Sequence, residues 1–373
     1  MKVYLDNGGT TKVDEDIAKE VYNIMTKEYG NPSSVHSLGE EAKEIVEEAR
    51  KRIAEKINCE NDEIIFTAGG TESNNLAIRS LISKDKNHII TSGIEHPSVR
   101  ESCKELAKEG FDITFLRPDE KGIINAKEVE KAITAKTSLV SIIHVNNEIG
   151  VIQDIEKIGK ICKKKKVNFH VDAVQSFTKV DIDVKNVDAM SFSSHKIHGP
   201  KGVGALYLKK GKKLKRVFFG GHQERDLRAG TENVPGIHGF GLAVAKEVPV
   251  EKIKKLRDYF IGKVLEIPDT FLNGDKERRL CNNVNVTFRF VEGEALLMHL
   301  DMAGIFVSTG SACSSRSLEP SYVLLALGLK HEEAHGSIRF TFSKYTTKKE
   351  LDYTVGKLKE IVKKLREISP LGK

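Results

Sequence analysis

Tryptophan is absent from the 373 residues, and aromatic residues of all kinds make up 6%. The net charge of +7 therefore lacks the aromatic company of a nucleic-acid footprint. Lysine and glutamate are instead spread over helical stretches, which marks solvated surface. The one basic run, Lys163–Lys166, follows the amphipathic "IEKIGKIC" and suits a helix C-terminus. Cysteine is scarce too. Cys59, Cys103, Cys162, Cys281 and Cys313 are scattered and odd in number, with no CxxC, which argues against a disulfide framework or a zinc site and fits a reducing cytoplasm. No apolar run is long enough to cross a membrane, and "MKVYLDNGGTT" does not read as a signal peptide. Internal repeats and low-complexity linkers are missing as well. What is present is a globular balance of 39% hydrophobic and 30% charged residues, in a chain longer than one compact core usually holds.

Apolar runs alternate with helical patterns over most of the chain. "EEAKEIVEEARKRIAEKI" has helical spacing and ends near Asn58; "EIIFTAGG" reads as a strand and a glycine turn, followed by the helix "TESNNLAIRSLI". "NHIITSG", "DITFLR", "TSLVSIIHV", "NFHVDAV", "DAMSFSSHK" and "GVGALYLKK" are further strands, several separated by helices. This alternation predicts an α/β domain with a largely parallel sheet. After about Pro249 the pattern changes: the helix "EKIKKLRDYFIGKVLE", the strand "NNVNVTFRF", the helix "GEALLMHLDMAG", a short strand "FVSTG", a loop and "GSIRFTFS". The expected division is a large domain, 16–249, and a smaller α+β domain formed by 1–15 and 250–373.

Five constellations can carry chemistry. Gly69 and Gly70 lie between a strand and a helix start at Thr71, the design of a phosphate cradle and equally that of an ordinary capped turn. Lys196 follows a strand ending in serines and His195, at the sheet edge where α/β proteins bind ligands. A lysine buried there can form a Schiff base with an aldehyde; the plain alternative is a surface lysine beside a turn. His195 and His198 have no third partner at metal-binding spacing. Asp172 and Gln175 follow an apolar strand. A carboxylate there can hold a pyridine nitrogen protonated, although on the residues alone a cap of the following turn is the simpler reading. His96, before Pro97, can stack on a flat ring and move protons, or be a loop histidine. Finally, "STGSACSSRS" sets Cys313 in a stretch with no large apolar side chain.

Taken in order, the glycine turn, His96, "HVNNEIGV", "HVDAVQS", "SSHKIHGPKG", "RAGTENVPG" and "GSACSS" resemble the cysteine desulfurases of the NifS/IscS type, within the class V aminotransferase-like family. The resemblance runs from "YLDNGGTT" to "SIRFTFS". It implies the aspartate aminotransferase-like fold of pyridoxal 5'-phosphate-dependent transferases. It implies that Lys196 binds the cofactor aldehyde, Asp172 the ring nitrogen and Gln175 the phenolic oxygen, with His96 against the ring. Gly70, Thr71, Ser193 and His195 would hold the phosphate, joined by Thr231 from a partner subunit in a homodimer. Asn147 and Arg339 would hold the substrate carboxylate. Cys313 would take sulfur from L-cysteine as a persulfide and pass it to an acceptor such as an iron–sulfur scaffold protein. No metal is required, and the same thiol could serve as a transient iron–sulfur ligand. The expected location is the cytoplasm, with neither membrane nor direct nucleic-acid contact.

Two positions depart from the pattern. Gly8 and Gly9 precede Thr10 and Thr11 where many relatives read S-A-T-T, and Arg316 stands where relatives often carry glycine, close enough in sequence to favour a thiolate at Cys313. Rival readings are a selenocysteine lyase, a class V aminotransferase, which needs no nucleophile at Cys313, and a non-catalytic scaffold for iron–sulfur assembly on the same fold.

Overall fold

The computed structural model describes residues 1–83, 85–309 and 319–369. Cys313 and Arg316 lie outside them. A seven-stranded sheet is built from β2 (Ile64–Thr67), β3 (His88–Ser92), β4 (Asp112–Leu116), β5 (Thr137–Ile143), β6 (Asn168–Asp172), β7 (Ala189–Ser193) and β8 (Gly204–Leu208). β1 (Val3–Tyr4) lies apart from this sheet. The spatial order is β2-β8-β7-β6-β5-β3-β4, and only the pairings of β8 are antiparallel. Successive residues of one strand feed different cores. Ile90 and Val140 belong to one apolar cluster; their neighbours Ile89 and Leu139 belong to another. That period-two division is why "TSLVSII" is buried along its whole length: helices cover both faces of the sheet.

Side-chain hydrogen bonds also link the strands laterally. On β6, Nδ1 of His170 meets Ser141 Oγ of β5 at 2.8 Å, and its Nε2 meets Ser191 Oγ of β7 at 3.0 Å. Burial pushes this imidazole down to about 3, so it is neutral at physiological pH.

A third cluster gathers Val3 and Leu5 with residues from Ile253 to Leu365. Its frame is the antiparallel sheet of β9 (Thr270–Leu272), β10 (Asn283–Phe288) and β12 (Ser337–Thr341), beside a parallel pair, β1 and β11 (Ile305–Phe306). Two details differ from the sequence pattern. The short strand expected in "FVSTG" lies earlier, at β11, because pairing with β1 selects Ile305 and Phe306; Ser308 makes only an isolated bridge to Arg339. In addition, Val323, Leu324, Leu327 and Ala334 pack into the first cluster, not the third. The basic run ends its helix as expected: Lys163–Lys165 form the last turn and Lys166 caps it at φ 55°.

Candidate active site

The C-terminal ends of β2, β3, β5, β6 and β7 open onto one cavity of about 330 Å³. Gly70, Thr71, His96, Asn147 and Asp172 line it, as do Gln175, Ser193, His195, Lys196 and Arg339. Ten sequence-predicted residues, drawn from positions 70 to 339, therefore meet at the edge where α/β sheets take ligands.

Lys196 sits in a short turn directly after β7. Its Nζ donates to the carbonyls of Gly8 and Gly9, each at 2.6 Å. The N-terminal segment is bound along this turn: Thr11 N–H and Oγ1 both donate to His195 O, and Asp14 N–H donates to His198 O. Asp14 anchors the far end, accepting from Tyr345 OH at 2.6 Å, Lys344 Nζ at 2.5 Å and Lys246 Nζ at 2.9 Å. Burial alone would raise its carboxyl, but these hydrogen bonds outweigh it and bring the group down to about 2.

Asp172 lines the cavity and also caps the following turn. Oδ1 accepts the Val174 N–H at 3.0 Å, as a turn cap does, while Oδ2 accepts from Asn74 Nδ2 at 2.8 Å. Asn74 Nδ2 also lies 2.8 Å from Ser98 Oγ, which in turn is 2.8 Å from His96 Nδ1. The Ser98 backbone N–H donates to that same Nδ1, so Nδ1 is an acceptor and a neutral His96 carries its proton on Nε2. His96 sits below its ordinary pKa: burial is the main cause, Asp172 opposes it, and Lys196 and Arg339 add to it. His195 is pushed further, to about 4, by burial and then by Lys196 and Lys201. Both rings are neutral at physiological pH.

The helix Gly70–Leu81 starts at the cavity with no side-chain cap, its N-cap being Gly69 at φ 155°. A Cβ on Gly70 would come within 2.5 Å of Val174 Cγ2, so glycine keeps the turn tight against the strand end. Uncapped N–H groups with Thr71, Ser193 and His195 around them have the make-up of an anion-binding helix start. A lysine, a carboxylate, a neutral imidazole and this helix start around one cavity fit a phosphorylated pyridine aldehyde. Gln175 Nε2 donates to Gly8 O at 3.0 Å.

Arg339, on β12, gives Nη1 to Asn147 O at 3.0 Å and Nη2 to Asp6 Oδ1 at 2.8 Å, while its buried Nε–H has no hydrogen-bond partner among the described residues. Beside it, burial pushes Glu148 up to about 7, against a hydrogen bond from Ser321 Oγ and the pull of Arg339. Sequence reasoning missed Asp6, Asn74, Ser98 and Glu148. Asn74 had a signal: it lies one helical turn from Gly70 and Thr71, on the same face.

Thr231 does not line the cavity. It is exposed, in the connection between Arg228, which pairs with Glu72 Oε1 at 2.9 Å, and the helix Val234–Ala245. That connection follows Glu224, Arg225 and Asp226, all at positive φ, held by the buried pair of Arg50 and Glu224 at 2.9 Å.

Comparison with known proteins agrees with this arrangement. The family model for aminotransferase class-V matches residues 3–354. The cysteine desulfurase IscS of Dictyoglomus turgidum is 48% identical over 380 residues, covering 99% of this chain and 96% of that one. Among solved structures, a NifS-like protein superposes with a TM-score of 0.89 at 37% identity, covering 99% of each chain. A second, SspA in complex with cysteine, gives 0.85 at 37% identity, covering 93% of this chain and 100% of that one. A match along nearly the whole length, joined to a lysine, a carboxylate and a helix start around one cavity, makes this chain a member of the aminotransferase class-V family.

Proposed function

We propose that the protein is a pyridoxal phosphate-dependent cysteine desulfurase, converting L-cysteine to L-alanine and delivering the sulfur to Cys313. The observation that carries this reading is the meeting of Lys196, Asp172, His96 and Arg339 around one cavity at the strand ends. Relatives named cysteine desulfurase over nearly the full chain favour it over a selenocysteine lyase or a non-catalytic scaffold.

Lys196 would hold the cofactor aldehyde, Asp172 the ring nitrogen and Gln175 the phenolic oxygen, with His96 against the ring. Gly70, Thr71, Ser193 and His195 would hold the phosphate. When bound, pyridoxal phosphate supplies an electron sink that acidifies the substrate Cα–H and weakens its Cβ–S bond. Arg339 and Asn147 grip the substrate carboxylate and so aim the Cα–H into the cavity. Lys196 Nζ would carry the proton taken from Cα. His96 exchanges a proton through Nε2, the nitrogen that Ser98 leaves protonated. The Cys313 thiolate attacks the substrate sulfur: an S–S bond forms as the Cβ–S bond breaks, its electron pair stays on the three-carbon fragment, and that fragment gains a proton and leaves as L-alanine.

The protein works in the cytoplasm as a homodimer in which Thr231 completes the partner's phosphate site, and it passes sulfur to an acceptor such as an iron–sulfur scaffold protein. Support for the dimer comes from exposed apolar side chains. Tyr22, Met25, Tyr29 and Val35 are 65%, 63%, 72% and 96% exposed, and Phe219, in the segment that leads to Thr231, is 85% exposed. No helix among the described residues is long and apolar enough to cross a membrane.

The test follows sulfide and alanine from L-cysteine together with the visible absorption of the holoenzyme. Lys196→Ala should lose both products and the lysine-dependent absorption. Cys313→Ser should keep the absorption and still bind L-cysteine, yet release no sulfide. Sulfide release from Cys313→Ser at the wild-type rate would remove Cys313 from the mechanism.

A further inference from the structure

Arg339 is 4% exposed, and a buried guanidinium needs anionic company even when no substrate is present. The cavity wall supplies it: Asp6 lines the same cavity and holds Nη2 at 2.8 Å, with its side chain 27% exposed. The rest of the guanidinium is only partly satisfied. Nη1 donates to a neutral carbonyl, that of Asn147, and the buried Nε–H has no hydrogen-bond partner among the described residues. Asp6 also begins the turn that serves Lys196. Its carbonyl accepts from Gly9 N–H at 3.0 Å and Thr10 N–H at 3.3 Å, and within that turn the carbonyls of Gly8 and Gly9 hold Lys196 Nζ. The glycines fit this arrangement. A Cβ at position 9 would lie 2.6 Å from Asp6 Oδ2, and one at position 8 would lie 3.5 Å from Arg339 Cζ. Gly9 thus leaves the carboxylate its place.

We propose that Asp6 is a positioning residue that sets the affinity for the amino-acid substrate: it is the resident anion of Arg339, aiming the guanidinium and competing with the incoming α-carboxylate. This rests on the reading of Arg339 as the carboxylate grip. Two effects of one side chain then have opposite signs. As a hydrogen-bond acceptor it holds Nη2 in line, which favours binding. As a negative charge beside the site it repels a second carboxylate, which opposes binding. Asparagine keeps the acceptor and removes the charge; alanine removes both.

The experiment measures L-alanine binding to the holoenzyme by calorimetry, and KM for L-cysteine, in D6N, D6A and R339K. D6N should bind L-alanine more tightly by roughly fivefold, the worth of one partly screened charge pair. D6A should bind it more weakly than wild type. R339K should lose at least about tenfold, since lysine cannot reproduce a two-pronged grip. KM for L-cysteine should move with the L-alanine constants. Positioning alone, with no effect of the charge, would weaken D6A and leave D6N as wild type, so the opposite directions of the two variants are the signature. If R339K weakens binding but D6N leaves it unchanged or weaker, the role of Asp6 is overturned while the carboxylate grip stands. If R339K binds L-alanine as wild type does, the grip itself is wrong and this inference falls with it. Should D6A not fold, the isosteric D6N alone decides, on the same criterion.

Discussion

Asn74→Ala tests the network behind the site. In the wild type, one amide nitrogen serves two groups, Asp172 Oδ2 and Ser98 Oγ, each at 2.8 Å. Asn74 and Asp172 are 1% and 3% exposed, so no bulk water replaces the lost donor. A hydrogen bond to a buried carboxylate is worth about 1.5–3 kcal/mol. Without it, Oδ2 loses its fixed partner, and on the proposed reading Asp172 is less well aimed at the cofactor's ring nitrogen. If that energy appears in cofactor binding, the dissociation constant for pyridoxal phosphate should rise roughly ten- to a hundredfold. The assay strips the cofactor, then titrates it back while absorbance and tryptic sensitivity are followed. Asp172→Ala serves as the reference for complete loss of the pairing. Affinity in Asn74→Ala within about twofold of wild type, alongside a large loss in Asp172→Ala, would refute the reasoning, because a difference of 1.5 kcal/mol could not be hidden in that range.

Two further outcomes follow from the geometry. Asp14→Asn should be less stable than wild type at neutral pH, and the gap should close as pH falls from the ordinary 3.8 of an aspartate toward about 2. The carboxylate is depressed in the folded chain, so its stabilisation is present above the unfolded value and lost on acidification through the folded one; urea midpoints across that range check it. Thr231 is testable by complementation. Neither Lys196→Ala nor Thr231→Ala homodimers should reach wild-type activity, but their mixed dimer should contain one intact site if Thr231 serves the partner. Mixed dimers no more active than the Thr231→Ala parent would place Thr231 in its own subunit's chemistry or in none.

The sheet was legible because its strands are buried on both faces and bounded by turns. "TSLVSII" and "AMSFS" carry that pattern without help from distant residues. β11 was harder: Ile305 and Phe306 become a strand only by pairing with Val3 and Tyr4, some three hundred residues away in the chain. The site residues Lys196, Asp172 and His96 could be named from the order of their motifs, whereas their supports could not. Asp6, Asn74 and Ser98 are ordinary polar residues in sequence, and what they do depends on which carbonyl, carboxylate or imidazole the fold brings within 3 Å. Tyr322–Ala326 shows the same limit at larger scale. It follows the small-domain pattern in sequence, yet Val323 and Leu324 complete the core beneath the large sheet.

The imidazole of His170, set between Ser141 and Ser191, has a bearing on how this protein can change over evolutionary time. It acts as a spacer between the three neighbouring strands whose ends lead to Asn147, Asp172 and Lys196. A phenylalanine there would fill a similar volume but strand both serine hydroxyls; a leucine would also leave a gap. The lateral spacing of these three cavity-lining residues is therefore inherited from inside the sheet, below the level of the cavity itself. Loops above it can drift toward new substrates or new sulfur acceptors without disturbing that spacing, and a lineage that changes the imidazole first has to rebuild the distances before it can change the chemistry.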